Sequence, residues 1–462
     1  MIYRYVFGNL QSWLHSENPK CLVFRGARQV GKTTAVRNIP ELLKGEIGIL
    51  QINLEEYPEL ATVFSSNDAT NILEELSFIA SFVPTPGDIV FLDEIQAIPP
   101  ALQAMRYLRE HRPDLRFIAA GSLLETELKS GKISVPVGRM EYLFMGPLTF
   151  EEFLGAHSGT AMEVDLLKNW LPGKPFPEAA HKKLLNYLRK YLVVGGMPEA
   201  VTDYISSGST TNSSRIHASI LNTYRDDFAK YSAGNDLLLL RKVFDWVPAR
   251  AGDKVIYSKV CPGVRAKKVS DAIDLLSSAR VIFPVTHSSG NGLPLGSEVN
   301  RSIYKLFFLD VGLMAHMTGI SRITEEQIRS DELFNNGKLA EQFIAQHLFF
   351  NKPSWERPAL HYWLRDKRSS NAEVDFLVQN SNRVIPVEVK AGKAGSMKSL
   401  MRFMQEKDSS LAVRFDTNLP SLQQVDHKLG NGAGLSNRVV FDLLSLPLYM
   451  VGEMDRLLNN LP

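Results

Sequence analysis

The chain has 462 residues, room for about three domains of ordinary size. Its 44% hydrophobic and 22% charged residues are those of a folded globular protein and exclude a largely disordered chain. The 52 Lys and Arg against 50 Asp and Glu leave a net charge of +2, so no partner follows from global charge and any basic surface must be local. Cys21 and Cys261 are too few and too far apart for a disulfide framework or a zinc site, which fits a reducing cytosol. No run approaches the length of an apolar membrane span, and the first twenty residues lack a charged start followed by an apolar core. A cytoplasmic protein without a membrane partner is expected.

In chain order, residues 21–25 (CLVFR), 49–53 (ILQIN), 88–92 (DIVFL) and 116–120 (RFIAA) are short apolar runs separated by helix-length segments. Strands buried on both faces read this way, and such spacing predicts a parallel α/β sheet with crossovers over residues 1–155. From 156 to 235, segments such as HKKLLNYLRKYLVV and SSRIHASILNTYRDDFAKY place apolar residues three and four apart and predict a helical region. Residues 236–322 mix short helices with a strand pair, FPVTHSS and SIYKLFFLD, joined by the stretch Gly290–Gly296. Residues 323–462 begin with the helix KLAEQFIAQHLFF, continue through strands LHYWLR, AEVDFLV and VIPVEVKAG, and end in more helix, the final LLSLPLYMVGEM reading as a packing helix.

Directly after the first strand comes Gly26-Ala27-Arg28-Gln29-Val30-Gly31-Lys32-Thr33, followed by Thr34 and a helical run. This is a glycine-bounded phosphate loop in its strand–loop–helix setting: backbone N–H groups wrap a polyphosphate, Lys32 reaches the terminal phosphates, and the Thr33 hydroxyl holds Mg²⁺. The third strand ends in Asp93-Glu94. Asp93 suits the Mg²⁺ shell and Glu94 the activation of an attacking water. Together they predict binding and hydrolysis of a nucleoside triphosphate with Mg²⁺; that it is ATP is what the resemblance given below implies. Ser122, at the end of the fourth strand, suits either a phosphate contact or a helix N-cap. Arg139, after Gly138, suits transition-state charge, in its own subunit or a neighbour's, or an ordinary surface position.

Between residues 250 and 285 seven cations face three aspartates, a local balance of 7 − 3 = +4. A short helix near Tyr257–Val260, a turn at Pro262-Gly263, a helix beginning RAKKVSDAIDLL and the strand pair read as a winged helix-turn-helix. Cations at a helix start oppose its dipole, so Arg265, Lys267 and Lys268 there point to phosphate contact, hence DNA. The alternative is a winged helix that serves only as a lid or protein-docking module.

Near the C-terminus, Asp375 begins one strand of a hairpin, and Glu388 and Lys390 lie two residues apart on the next, hence on one face. Asp375 and Glu388 could hold a second divalent cation with Lys390 beside an activated water, the arrangement of metal-assisted phosphodiester cleavage. Solvated charges on an outward face, or a fold kept for binding alone, are the other readings. Tyr362 and Trp363 read as core aromatics before they read as base-stacking platforms.

The runs RGARQVGKTT, FLDEIQ, AAGSLL, GRMEYLFMGPLTFEEFL and VGGMPEAV together resemble a large prokaryotic family of AAA-type ATPases. The resemblance spans nearly the whole chain. It implies an AAA-type P-loop ATPase core over 1–155, a helical lid over 156–235, a winged helix over 236–322 and a restriction-endonuclease-like (PD-(D/E)xK) α/β domain over 323–462. It further implies that Gly195, Gly196 and Pro198 form the lid motif with the proline near the adenine, that Ser122 is the sensor and Arg139 the arginine after it. Glu341 matches the acidic residue of the nuclease helix. The expected function is a nucleotide-controlled switch or processing enzyme acting on or near DNA, able to form a homo-oligomer. Its alternative is an ATP-regulated module that recruits a protein partner through an inactive nuclease-like domain.

Overall fold

The computed structural model describes residues 2–45, 47–121, 138–322, 332–350, 353–365, 372–390, 397–428 and 438–461. The chain divides into two compact units. The first comprises Met1–Gly146 with Asp274–Val281 and Lys352–Pro358, and the second the remainder.

In the first unit the expected strands form at β1 (Cys21–Arg25), β2 (Ile49–Asn53), β3 (Ile89–Asp93) and β4 (Arg116–Gly121), with a further strand β5 (Met140–Phe144). They make one parallel sheet in the order β2-β3-β4-β1-β5. The apolar runs are buried because helices cover the sheet. Leu50, Val90, Leu92 and Phe117 share a core with Ile72 and Leu76 of the helix Ala69–Ala80 and with Leu102 and Met105 of the helix Pro99–His111. Asp68 caps the first of these by accepting the Thr70 and Asn71 N–H groups.

The second unit holds helices at Glu178–Val194, Pro198–Ser207 and Thr210–Asp227, within the stretch read as helical. The short helix at Tyr257–Val260 and the basic helix, here α1 (Ala266–Ser278), also form. The last part of that helix, from Asp274, belongs with the residues up to Val281 to the first unit. The second unit's strands are β6 (Ile282–Ser288), β7 (Val299–Phe308), β8 (His361–Leu364), β9 (Glu373–Asn380), β10 (Arg383–Val389), β11 (Leu411–Asp416), β12 (Ser421–Lys428) and β13 (Arg438–Pro447). All eight join one sheet in the order β12-β13-β11-β10-β9-β8-β6-β7. The antiparallel pair β6–β7 that reads as a wing therefore continues the C-terminal sheet, β6 pairing in parallel with β8. Tyr362 and Trp363 are buried core residues.

One expectation is corrected. LLSLPLYMVGEM is not one packing helix: Leu443–Pro447 ends β13, paired in parallel with β11, and short 3-10 and α-helical turns follow. A continuous apolar run carries no periodicity to separate a doubly buried strand from a buried helix. The strands β11–β13 replace part of the helix expected there.

Candidate functional site

The phosphate loop leaves the C-terminal end of β1. Gly26 is required by close approach: a Cβ there would lie 2.2 Å from the Met145 carbonyl oxygen. Gln29 (φ 62°) and Gly31 (φ 97°) both take left-handed backbone, the alternation that turns successive N–H groups toward one concavity. The helix Lys32–Arg37 begins immediately after it. Buried Arg4 donates to the Val30 carbonyl at 3.0 Å and the Gly146 carbonyl at 2.8 Å, bracing the loop. Ala27 and Val30 are buried, whereas the Arg28 side chain reaches Glu55 at 3.4 Å. Thr34 lies in the helix's first turn.

Lys32 is buried, its ammonium donating to the carbonyls of Gly26 (3.1 Å) and Ala27 (2.8 Å). Burial pulls its pKa down to about 8; Glu94 and Asp93 act against this, and Arg28 and Arg280 reinforce it. Strand β3 lies two positions from β1 in the sheet, yet the Thr33 hydroxyl donates to Asp93 Oδ2 at 2.7 Å, closing the gap. Burial raises the Asp93 carboxyl above its ordinary value against the Thr33 bond. Glu94 adopts left-handed backbone (φ 50°), its N–H donating to Asp93 Oδ1 at 3.1 Å. Its carboxylate accepts from Gln96 Nε2 at 2.6 Å. Gly121 leaves room for Gln96, since a Cβ there would stand 2.4 Å from Gln96 Oε1. Thr33 and Asp93, two hard oxygen groups side by side, fit Mg²⁺.

Ser122 lies outside the described residues. Within one chain, Arg139 is not brought to this site. Strands β1 and β5 run parallel with Cys21 opposite Met140, so Arg139 stands where β1 begins and its carbonyl accepts the Cys21 N–H at 3.2 Å. The loop is at the other end of β1, a strand length or roughly 17 Å away. The exposed Arg139 guanidinium instead lies 3.5 Å from Glu110. Pro198 opens a helix of the second unit. Gly195 and Gly196 before it pack on buried Asp310, whose Oδ2 accepts the Gly196 N–H at 2.7 Å. Arg280, from later in the chain, lies with its guanidinium 4.8 Å over the Phe144 ring at the end of β5. In the sequence it merely adds to the +4 segment, and no local signal separates it from its neighbours. Arg4 is likewise silent in the sequence.

At the basic helix, Arg265, Lys267 and Lys268 are all exposed. Lys267 pairs with Asp271 at 2.6 Å and Lys268 with Asp236 at 2.8 Å, and Arg265 has no ion pair among the described residues.

The C-terminal set does come together. Asp375 Oδ2 accepts the Val389 N–H at 2.7 Å and Glu388 pairs with Lys390. Burial raises both carboxyls, and the nearby Asp375 charge raises Glu388 further. A residue that sequence reasoning passed over dominates the centre. Lys305 of β7, its side chain 2% exposed, sits 3.0 Å from Glu341 and 2.5 Å from Glu373, with the Tyr362 ring 5.1 Å away. Burial opposes its charge, but Glu341, Glu373 and Asp375 together outweigh burial and hold its pKa above the ordinary value. On its other side the Glu341 carboxylate lies against Gly252, where a Cβ would stand 2.6 Å from Oε2. The lone lysine inside the apolar run SIYKLFFLD was the available signal. Among the described residues no group of three His, Cys, Asp or Glu side chains could hold a metal ion. Lys305 lies against Glu341, a backbone N–H holds one Asp375 oxygen, and Glu388 meets Lys390 through Oε1 while its buried Oε2 has no hydrogen-bond partner among the described residues, so of this set only Asp375 and Glu388 keep oxygens for a second divalent cation.

Three family models match parts of the chain: residues 18–154 an AAA domain, residues 185–324 a domain of unknown function (DUF8612), and residues 336–425 another (DUF4143). No curated protein matches. Among solved structures, the Thermotoga maritima RuvB Holliday junction branch migration motor is 15% identical, covering 64% of this chain and 91% of its own, with a TM-score of 0.26. C. elegans PCH-2 is 11% identical, covering 37% of this chain and 51% of its own, with a TM-score of 0.21. Likenesses at these scores carry no argument about this chain. Among the described residues no helix is long and apolar enough to cross a membrane. The chain carries an AAA-type ATPase domain over residues 18–154, built on a parallel sheet with its phosphate loop at the end of β1.

Proposed function

We propose that the first unit binds and hydrolyses ATP with Mg²⁺ and acts as a nucleotide-controlled switch or processing enzyme on or near DNA. The observation that carries the ATP site is the 2.7 Å bond between Thr33 and Asp93 beside the loop-held Lys32 ammonium. In this reading the N–H groups of Gly26–Thr34 and the Lys32 ammonium bind the polyphosphate, while Thr33 and Asp93 hold Mg²⁺. Bound there, Mg²⁺ would neutralise phosphate charge. Glu94 accepts a proton from the attacking water, and Gln96, donating to the Glu94 carboxylate, sets its orientation. Lys32→Ala should abolish nucleotide binding and turnover. Glu94→Gln should keep binding and lower turnover by about a hundredfold or more, the usual worth of general-base help. Turnover persisting in Lys32→Ala would refute the site. The DNA assignment is supported by the exposed start of α1, which precedes the β6–β7 strand pair in the chain. A homo-oligomer is part of the proposal, because it would let Arg139 act on a neighbour's nucleotide.

For the C-terminal domain, Lys305 favours the second reading, a nuclease-like fold that cuts nothing and recruits a protein partner. Incubating supercoiled DNA with the full chain and Mg²⁺ or Mn²⁺ separates the two. The expected result is no nicking, and nicking that disappears in Asp375→Ala would restore Asp375, Glu388 and Lys390, with Glu341, as a catalytic set.

A further inference from the structure

The eight-stranded sheet has two edges, and the chain treats them differently. Along β7, residues 252–255 cover the margin: the Gly252 N–H donates to the Leu306 carbonyl at 3.2 Å and the Val255 N–H to the Tyr304 carbonyl at 3.0 Å, with Lys254 opposite Lys305. At the other edge stands β12, and among the described residues no strand lies on its outer side. It pairs with β13 over eight consecutive positions, from Ser421 opposite Ser445 to Lys428 opposite Arg438, without a bulge. Alternate residues of so regular a strand turn their N–H and C=O groups away from β13.

What β12 buries does not account for it. Seven of its eight residues are exposed, Leu422 among them, and only Val425 packs on the core that holds Phe441 and Leu443. Strand β11 pairs with β13 only from Asp442 onward, so residues 438–441 and 425–428 have only each other as strand partners. A two-stranded ribbon of this kind is marginal in water and gains from a third strand. The usual guards of a free edge are also missing: β12 has no proline and no bulge, and its one lysine stands at the far end.

The strand's sequence is complementary to itself. A second copy laid antiparallel along the free edge, on a two-fold axis through Val425, sets Val425 against its own counterpart and Gln424 against Asp426. Gln423 then meets His427, and Leu422 meets the aliphatic stem of Lys428. No like charges stand directly opposite. With the axis at Asp426 two carboxylates would meet, and with the axis at Gln424 the Asp426 carboxylate would face Leu422. A two-fold contact of this kind closes on itself and stops at a dimer.

We propose that the free edge of β12 pairs antiparallel with β12 of a second copy of the chain, joining two eight-stranded sheets into one. A single strand pair is a small interface, so the association is reversible and rises with concentration. It is independent of the nucleotide site, and Lys32→Ala should dimerise as the wild type does.

Sedimentation equilibrium of the full chain over a concentration series tests it. Leu422→Lys and Leu422→Glu remove the same apolar contact and present opposite charges to the second copy's Lys428. Leu422→Lys should dissociate about tenfold more readily than Leu422→Glu, because two like-charged pairs stand where the other has two opposite ones. Their melting temperatures check that both remain folded. Val425→Cys should give a disulfide-linked dimer on mild oxidation, since directly opposite residues of antiparallel strands lie within disulfide reach. Gln423→Cys, facing His427, should not. A wild type that stays monomeric throughout the series, equal dissociation constants for the two Leu422 variants, or cross-linking no stronger at position 425 than at 423 would each overturn the proposal.

Discussion

Burial of the Lys32 ammonium within the phosphate loop, with Arg28 and Arg280 nearby, lowers its pKa to about 8 from an ordinary 10.5. Without nucleotide, the lysine sheds its proton as pH rises through that value, whereas a bound polyphosphate favours the charged form. Nucleotide affinity should therefore fall above about pH 8, approaching about tenfold per pH unit where this ammonium dominates. Lys32→Arg, which keeps its charge, should flatten the profile measured by calorimetry. Stability runs the other way. Because the folded pKa lies below the unfolded one, the unfolded chain binds more protons between the two values, and stability rises with pH across that window. At this scale the sequence was legible where spacing carries chemistry: the loop from Gly26 to Thr33 follows β1 directly, and the pair Asp93-Glu94 sits at the end of β3. It was silent where a residue acts through a distant neighbour. Arg4 braces a loop 26 positions away, and Arg280 meets a strand far earlier in the chain.

Elements were legible in proportion to the pattern they carry. Strands β1 to β4 declare themselves because apolar runs of strand length alternate with helices, and the amphipathic helices of the second unit repeat every three or four residues. Strand β13 carries such a mark only in its first half, where exposed and buried residues alternate; its last five are all buried, so that apolar stretch reads equally as helix. At α1 the residue pattern locates the helix but mixes two roles, since Arg280 just beyond it lies over Phe144 while Arg265, Lys267 and Lys268 are exposed. Replacing those three together by Ala should weaken duplex DNA binding and flatten its salt dependence, the slope of log affinity against log salt falling by about 0.9 for each phosphate no longer neutralised. Fluorescence anisotropy across a salt series measures it, and an unchanged slope would remove DNA from this face. The weakening should be partial for Lys267 and Lys268, which already share charge with Asp271 and Asp236.

At the scale of the molecule, the described residues form one parallel sheet and one mixed sheet of eight strands, and four modules in the sequence do not announce that the last two share a sheet. Lys305 shows the join chemically: a cation on β7 is held by Glu341 from the helix Gly337–Phe350 and by Glu373 from β9. Lys305→Met should lower the melting temperature, because Glu341 and Glu373 would lose the counter-charge their burial depends on. Adding Glu341→Gln to that variant should recover part of the loss, and differential scanning calorimetry reads both. The parallel pairing of β6 with β8 has a practical corollary for anyone dissecting the chain. A fragment cut after residue 322 would keep the β6–β7 hairpin but strip the backbone donors and acceptors along the outer side of β6 of their complement. Such a bared margin is a template for self-association, so the fragment should precipitate or form multimers in sedimentation, while the intact polypeptide does not do so through that margin.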